Sequence, residues 1–169
     1  AREIHARGIG DAFAAIPPGA NIFITLDCDG LDPSVMPAGA ARVAGGSAVA
    51  AGDRLGVRDL DAVIRAIRGC DGVIHLAAKV GVTGSWEEYR SVNVDGTANV
   101  LRACEAHGIP FLVHTSSPSV VHAGGDIEGG DESLPYPGHF AAPYPRTKAL
   151  AEQRVMAANG ADGLRTVSL

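Results

Sequence analysis

An α/β fold built on a doubly wound parallel sheet is predicted by three features of the sequence. Apolar runs at Gly72–Ala78 and Phe111–Ser117 have the length and composition of strands buried on both faces. Stretches between and around them carry helical periodicity, as at Leu60, Val63, Ile64 and Ile67, spaced i, i+3, i+4 and i+7. Polar residues gather where the apolar runs end: Lys79 follows Ala78, and Thr115-Ser116-Ser117 closes the second run. Strands alternating with helices give a parallel sheet, and such sheets bind ligands beyond the C-termini of their strands.

The elements follow in order. Residues 1–37 read as a helix, a Pro-Pro-Gly turn at 17–19, a strand from Asn21 to Asp27 and an acidic loop. Residues 38–52 are rich in Ala and Gly, keep no helical or strand period, and read as a linker. Residues 53–169 then form one regular domain. Asp59 caps a helix that Gly69 ends, and Ser85 with Glu88 makes the capping-box pattern of a second helical region, bent somewhere before His107-Gly108. After the 111–117 strand, a Gly- and Pro-rich stretch leads to Pro145, which suits the first turn of a helix closing near Asn159-Gly160. Leu164–Leu169 begins another strand.

Composition narrows the function. The chain has 169 residues, enough for one core, with 46% hydrophobic and 20% charged residues. A net charge of −5 with scattered Lys and Arg argues against a nucleic-acid partner. No run nears the roughly 20 apolar residues that span a bilayer, and AREIHARGIGD lacks the apolar centre of a signal peptide. A cytoplasmic protein with no membrane partner is expected. Cys28, Cys70 and Cys104, odd in number and set in apolar segments, read as reduced packing residues. His107, His114, His122 and His139 have no metal spacing, and His75 reads as a core residue.

The strongest chemical signal is Tyr144-Pro-Arg-Thr-Lys148 at the start of a helix. Spacing of i, i+4 puts the phenol and the ammonium on one face, one turn apart. A neighbouring cation favours the phenolate, which suits a proton-transferring tyrosine; the alternative is a surface Lys beside a half-buried Tyr. Trp86 and Tyr89 either pack or line the substrate side.

Taken with His75-Leu-Ala-Ala78, Asn93-Val-Asp-Gly-Thr-Ala-Asn99 and Thr115-Ser-Ser117, the stretch Tyr144 to Glu152 resembles the extended short-chain dehydrogenase/reductase family. Its 3β-hydroxysteroid dehydrogenase and epimerase/dehydratase members match best, over about residues 53–169. The resemblance implies a Rossmann-like domain and an NAD(P)-dependent oxidoreductase or epimerase acting on a hydroxyl or ketone of a sugar or sterol-like small molecule. It makes Tyr144 the acid/base, Lys148 the holder of the nicotinamide ribose, and Ser117 the donor to the reacting oxygen, with Ser116 one register away. Asn93 would sit beneath Lys148 in a proton path, or cap a helix. Ala77 and Ala78 would run along NAD or NADP, and Asp53 would meet the adenine. The resemblance is compatible with a homodimer.

The family's first βα unit, with its Gly-x-x-Gly-x-x-Gly turn, has no match, since Gly8-Ile-Gly10 and Gly45-Gly46 have the wrong spacing. A partial domain lacking that unit is therefore expected. The segment Ile24 to Pro37 resembles instead a metal motif of the agmatinase/arginase family, in which residues matching Asp27 and Asp29 ligate Mn²⁺. Its other ligands have no counterpart, so a metal-free acidic loop is expected. Two alternatives to an oxidoreductase stand beside it: a non-catalytic fragment or composite chain, and a Mn²⁺-dependent ureohydrolase.

Overall fold

The computed structural model describes residues 19–25, 40–44, 47–50 and 56–169. Strands β1 (Ile22–Thr25), β2 (Ala40–Ala44), β3 (Ser47–Ala50), β4 (Gly72–His75), β5 (Phe111–His114) and β6 (Arg165–Ser168) form one sheet in the order β3-β2-β1-β4-β5-β6. β1, β4, β5 and β6 run parallel, as the sequence predicts. β2 and β3 join antiparallel, where the sequence reads a linker. That reading fails because a strand pair needs only backbone donors and acceptors, which Ala-rich chain supplies without a side-chain period. Gly45-Gly46 between the two strands was the available signal, a two-residue spacer favoured in hairpins.

β1, from the segment with the second resemblance, lies directly beside β4. Asp27, at the end of the strand expected over 21–27, lies outside the described residues, as do Asp29, Asp32 and Asp53.

The helices are set by their caps. Asp59 accepts from the backbone of Ala62 at 3.0 Å to open α1 (Leu60–Ile67). Ser85 and Glu88 complete the expected capping box of α2 (Trp86–Tyr89), with Ser85 N–H donating to Glu88 at 2.6 Å. The expected bend is a π-helical turn over Arg90–Asp95, in which Gly96 N–H reaches back to the Ser91 carbonyl. It leads into α3 (Gly96–His107), which Gly108 ends in the left-handed region at φ 60°. α4 (Pro143–Ala157) opens with Pro143 and Pro145 in its first turn.

Register decides what each face of the sheet carries. Phe23, Val73 and Leu112 are paired neighbours on successive strands, and all three are buried against Val63, Ile67, Val100, Ala103, Cys104 and Val155 of the helices. Each such side chain contributes about 1.5–3 kcal/mol of burial, so this row anchors the core. Two residues further along the same face, Thr25, His75, His114 and Ser168 form a second row. A polar row thus lies at the C-terminal edge of four parallel strands. Burial pushes the Cys104 thiol up to about 12, as a packing residue requires. Among the described residues no helix is long and apolar enough to cross a membrane.

Candidate active site

Helix α4 brings Tyr144, Lys148 and Glu152 onto one face at i, i+4 and i+8. Tyr144 is half-buried, its ring edge-on to that of buried Tyr89 with centroids 6.5 Å apart. Lys148 is only 2% exposed, and its ammonium donates to the Thr115 carbonyl at 2.6 Å, just past the end of β5. Burial lowers its amine to about 8, while the Glu152 carboxylate pulls the other way. A lysine so enclosed carries a desolvation cost that a single carbonyl acceptor offsets only in part.

Asn93 is buried within the π-helical turn. Its side chain clasps the backbone of one residue: Oδ1 accepts from Lys79 N–H at 2.7 Å and Nδ2 donates to the Lys79 carbonyl at 3.0 Å. Nδ2 also donates to the Thr147 hydroxyl at 3.0 Å, and Thr147 in turn donates to the carbonyls of Pro143 and Tyr144, both at 2.9 Å. The capping alternative is thereby replaced, because the side chain joins two segments and caps neither. Its contacts reach the residue before Lys148, fixing the turn that carries Tyr144.

Ser117 opens a 3₁₀ turn over Pro118–Val120, and its hydroxyl bonds that of Ser119 at 2.8 Å. Ser116 Oγ is buried and has no protein partner. Ala77 and Ala78 are buried at the C-terminal end of β4, where small side chains let a ligand approach the backbone. Asn93 thus holds the Lys79 backbone beyond the end of β4, and Lys148 holds the Thr115 carbonyl beyond the end of β5, two residues before Ser117. Asp53 is outside the described residues. Among the described residues no cluster of three or more His, Cys, Asp or Glu has a metal-holding arrangement.

Several contributors escape sequence reasoning. Glu152 accepts from the Tyr136 hydroxyl at 2.7 Å and from Ser168 at 3.3 Å, tying the segment before α4 to the face that bears Lys148. Burial, then this carboxylate, raises the Tyr136 phenol well above its ordinary range. Trp86 lies under the Arg146 guanidinium, 4.5 Å from its centroid, and Lys79 Nζ sits 5.2 Å from the centre of the Tyr89 ring. Ser119, His122, His139, Phe140, Ala142 and Pro145 line a cavity of about 260 Å³ between the 3₁₀ turn and the start of α4. Trp86 and Tyr89 were expected to pack or to line the substrate side; Glu152 and the cavity residues carry no motif that sets them apart in the sequence.

Comparison with known proteins agrees with this geometry. The model of the 3-beta hydroxysteroid dehydrogenase/isomerase family matches residues 42–169. A 2-alkyl-3-oxoalkanoate reductase of Stenotrophomonas maltophilia is 53% identical over 113 residues, covering 66% of this chain and 34% of the relative. A 3 beta-hydroxysteroid dehydrogenase/Delta 5-->4-isomerase of Mycobacterium tuberculosis is 42% identical over 120 residues, covering 67% and 32%. The chain thus spans about a third of the length of these curated relatives. Among solved structures, a Thermus thermophilus UDP-glucose 4-epimerase in complex with NAD aligns with TM-score 0.58 at 32% identity, over 68% of this chain and 38% of the other. The tyrosine and lysine on one helical turn, the paired strand ends and the family match converge, and the chain belongs to the 3-beta hydroxysteroid dehydrogenase/isomerase family of extended short-chain dehydrogenases/reductases.

Proposed function

We propose that residues 53–169 are the catalytic part of an NAD(P)-linked oxidoreductase that interconverts a secondary alcohol and a ketone on a sugar or sterol-like substrate. The observation that carries this is Lys148: a lysine enclosed to 2% exposure, bonded to a strand end, one helical turn from a half-buried tyrosine. The relatives named for dehydrogenation or reduction at such a position support it.

The described residues fit the nicotinamide half of the cofactor. Ala77 and Ala78 offer a close backbone, and Lys148 offers donors to ribose hydroxyls. The diphosphate half fits poorly, because the sequence has no glycine-rich turn, and the residues that follow β1 include Asp27, Asp29 and Asp32, whose charge opposes phosphate. When bound, the nicotinamide supplies or accepts the hydride.

The chain's own residues do the rest. In reduction, Tyr144 gives its phenolic proton to the substrate oxygen, and in oxidation it removes that proton. Lys148 places a cation beside the phenol, stabilising the negative charge that develops on its oxygen. Ser117 donates to the same substrate oxygen and sets its orientation. Asn93 holds the first turn of α4 in place. The cavity beside Ser119 and Pro145 receives the body of the substrate.

The test is to replace residues 1–37 with a family-type strand and glycine turn and assay turnover on secondary alcohols. Turnover is expected, and Tyr144→Phe is expected to abolish it while cofactor affinity changes little. Undiminished turnover in the Tyr144→Phe protein would overturn the assignment.

A further inference from the structure

His75 lies outside the catalytic group, fully buried, with both ring nitrogens engaged. Counting protons along its contacts settles which nitrogen donates. The Thr25 hydroxyl accepts from Ala77 N–H at 3.1 Å and shares the Leu76 N–H, 3.0 Å away, with the Thr25 carbonyl, which lies 3.1 Å from the same nitrogen. The hydroxyl's single proton is then left for His75 Nδ1, 2.7 Å away, so Nδ1 is the acceptor. The other side gives the same answer independently. Thr97 spends its proton on the Asn93 carbonyl at 2.7 Å, so its oxygen, 2.9 Å from His75 Nε2, can only accept, and Nε2 carries the hydrogen.

The chain of donors therefore runs in one direction: Thr25 O–H to His75 Nδ1, His75 Nε2–H to Thr97, and Thr97 O–H to Asn93. It begins at the C-terminal end of β1, fixes the Leu76 and Ala77 backbone on its way, and ends on the π-helical turn. The last bond ends on the carbonyl of a residue within that turn. A threonine hydroxyl that takes the carbonyl four residues back competes with the ordinary helical N–H for it, and favours the wider register.

We propose that His75, held by Thr25 and Thr97 as the neutral tautomer with hydrogen on Nε2, is a positioning residue that sets Asn93 and the β4 backbone for the reaction. The reactive consequence rests on the oxidoreductase reading above; the tautomer and its coupling to Asn93 do not. Protonation of the ring would place an N–H on Nδ1 against a hydroxyl that already accepts from Ala77 N–H and shares the Leu76 N–H. Four groups bear on the ring's charge: Thr25 on β1, His114 on β5 with ring centroids 5.3 Å apart and planes tilted by 40°, Thr97 on α3, and the Lys148 ammonium on α4. None is an anion. Burial first and the Lys148 charge second lower the imidazole to about 3.

Nuclear magnetic resonance of the full chain with ¹⁵N-labelled histidine rings, without cofactor or substrate, tests this, with His75 assigned by the signal lost in His75→Gln. One neutral ring protonated at Nε2, unchanged between about pH 8 and about pH 4, is expected. A ring protonated at Nδ1, or one titrating near the ordinary histidine value, overturns the proposal before any variant is made. Thr97→Val is expected to remove the single-tautomer signature and shift the Asn93 side-chain amide resonances, and Thr97→Ser to preserve both. If Thr97→Val leaves the Asn93 amide where it was, His75 does not position Asn93. Absence of turnover in any form of the chain would count against the oxidoreductase reading and leave these spectra unaffected.

Discussion

At the residue scale the site holds charge where the fold would do better without it. Lys148 falls from 10.5 to about 8 on burial, equivalent to about 3 kcal/mol of opposition to its charged form at about 1.4 kcal/mol per tenfold change. The sign follows from proton counting. Between those values the unfolded chain binds more protons, so the penalty is full below the folded value and vanishes above the unfolded one. Lys148→Met keeps a stem of similar size and is expected to stabilise the protein by about 1–3 kcal/mol near neutral pH, allowing for the Thr115 carbonyl it leaves unpaired. Urea unfolding of both proteins should show that advantage shrinking as pH rises from about 8 to about 10.5. A variant less stable than the parent near neutral pH would mean that the ammonium is stabilised by more than its carbonyl. Tyr144 and Lys148 were legible because their spacing alone makes one helical face. Thr25, Thr97 and His75 were not, since Thr and His inside apolar runs look the same whether they pack or relay hydrogen bonds.

At the element scale the strands read well from sequence and their limits did not. The runs 72–78 and 111–117 were expected whole, yet the strands end at His75 and His114, with a further backbone bond from Ser116 N–H to the Leu169 carbonyl at 2.6 Å. Apolar composition marks burial, and Ala77 and Ala78 are buried without being paired in the sheet. The bend expected in the 85–107 helix is the π-helical turn, beside which the Thr97 hydroxyl donates to the Asn93 carbonyl at 2.7 Å. The same region depends on a close approach. A Cβ on Gly96 would stand 2.5 Å from Val57 Cγ2 and 3.1 Å from Val57 Cβ, atoms with little freedom to retreat. Gly96→Ala is expected to cost about 1–3 kcal/mol and to push α3 away from the start of α1. Thermal unfolding measures the loss, and an unchanged melting temperature would show that the two segments separate freely.

At the scale of the whole molecule, two buried neutral imidazoles side by side on one face of the sheet make the fold sensitive to acid. Burial depresses both His75 and His114 far below their ordinary value, and His114 has no protein partner for either ring nitrogen. Their stability contribution is intact above about pH 6.5 and is lost as pH falls toward the folded values, at about 1.4 kcal/mol per proton for each pH unit. Unfolding free energy is therefore expected to fall below about pH 6.5, and less steeply in His114→Phe, which fills the same space without a proton site. An identical slope in that variant would remove His114 from the account. The 169 residues carry the proposed catalytic group and no glycine-rich turn of the family's spacing. Two or three lost charge-assisted hydrogen bonds, each about 1.5–3 kcal/mol, weaken cofactor binding by roughly three orders of magnitude. Fluorescence titration of NADH and NADPH against the unaltered chain measures this most directly: binding too weak to saturate at micromolar cofactor is predicted, and micromolar affinity would contradict it.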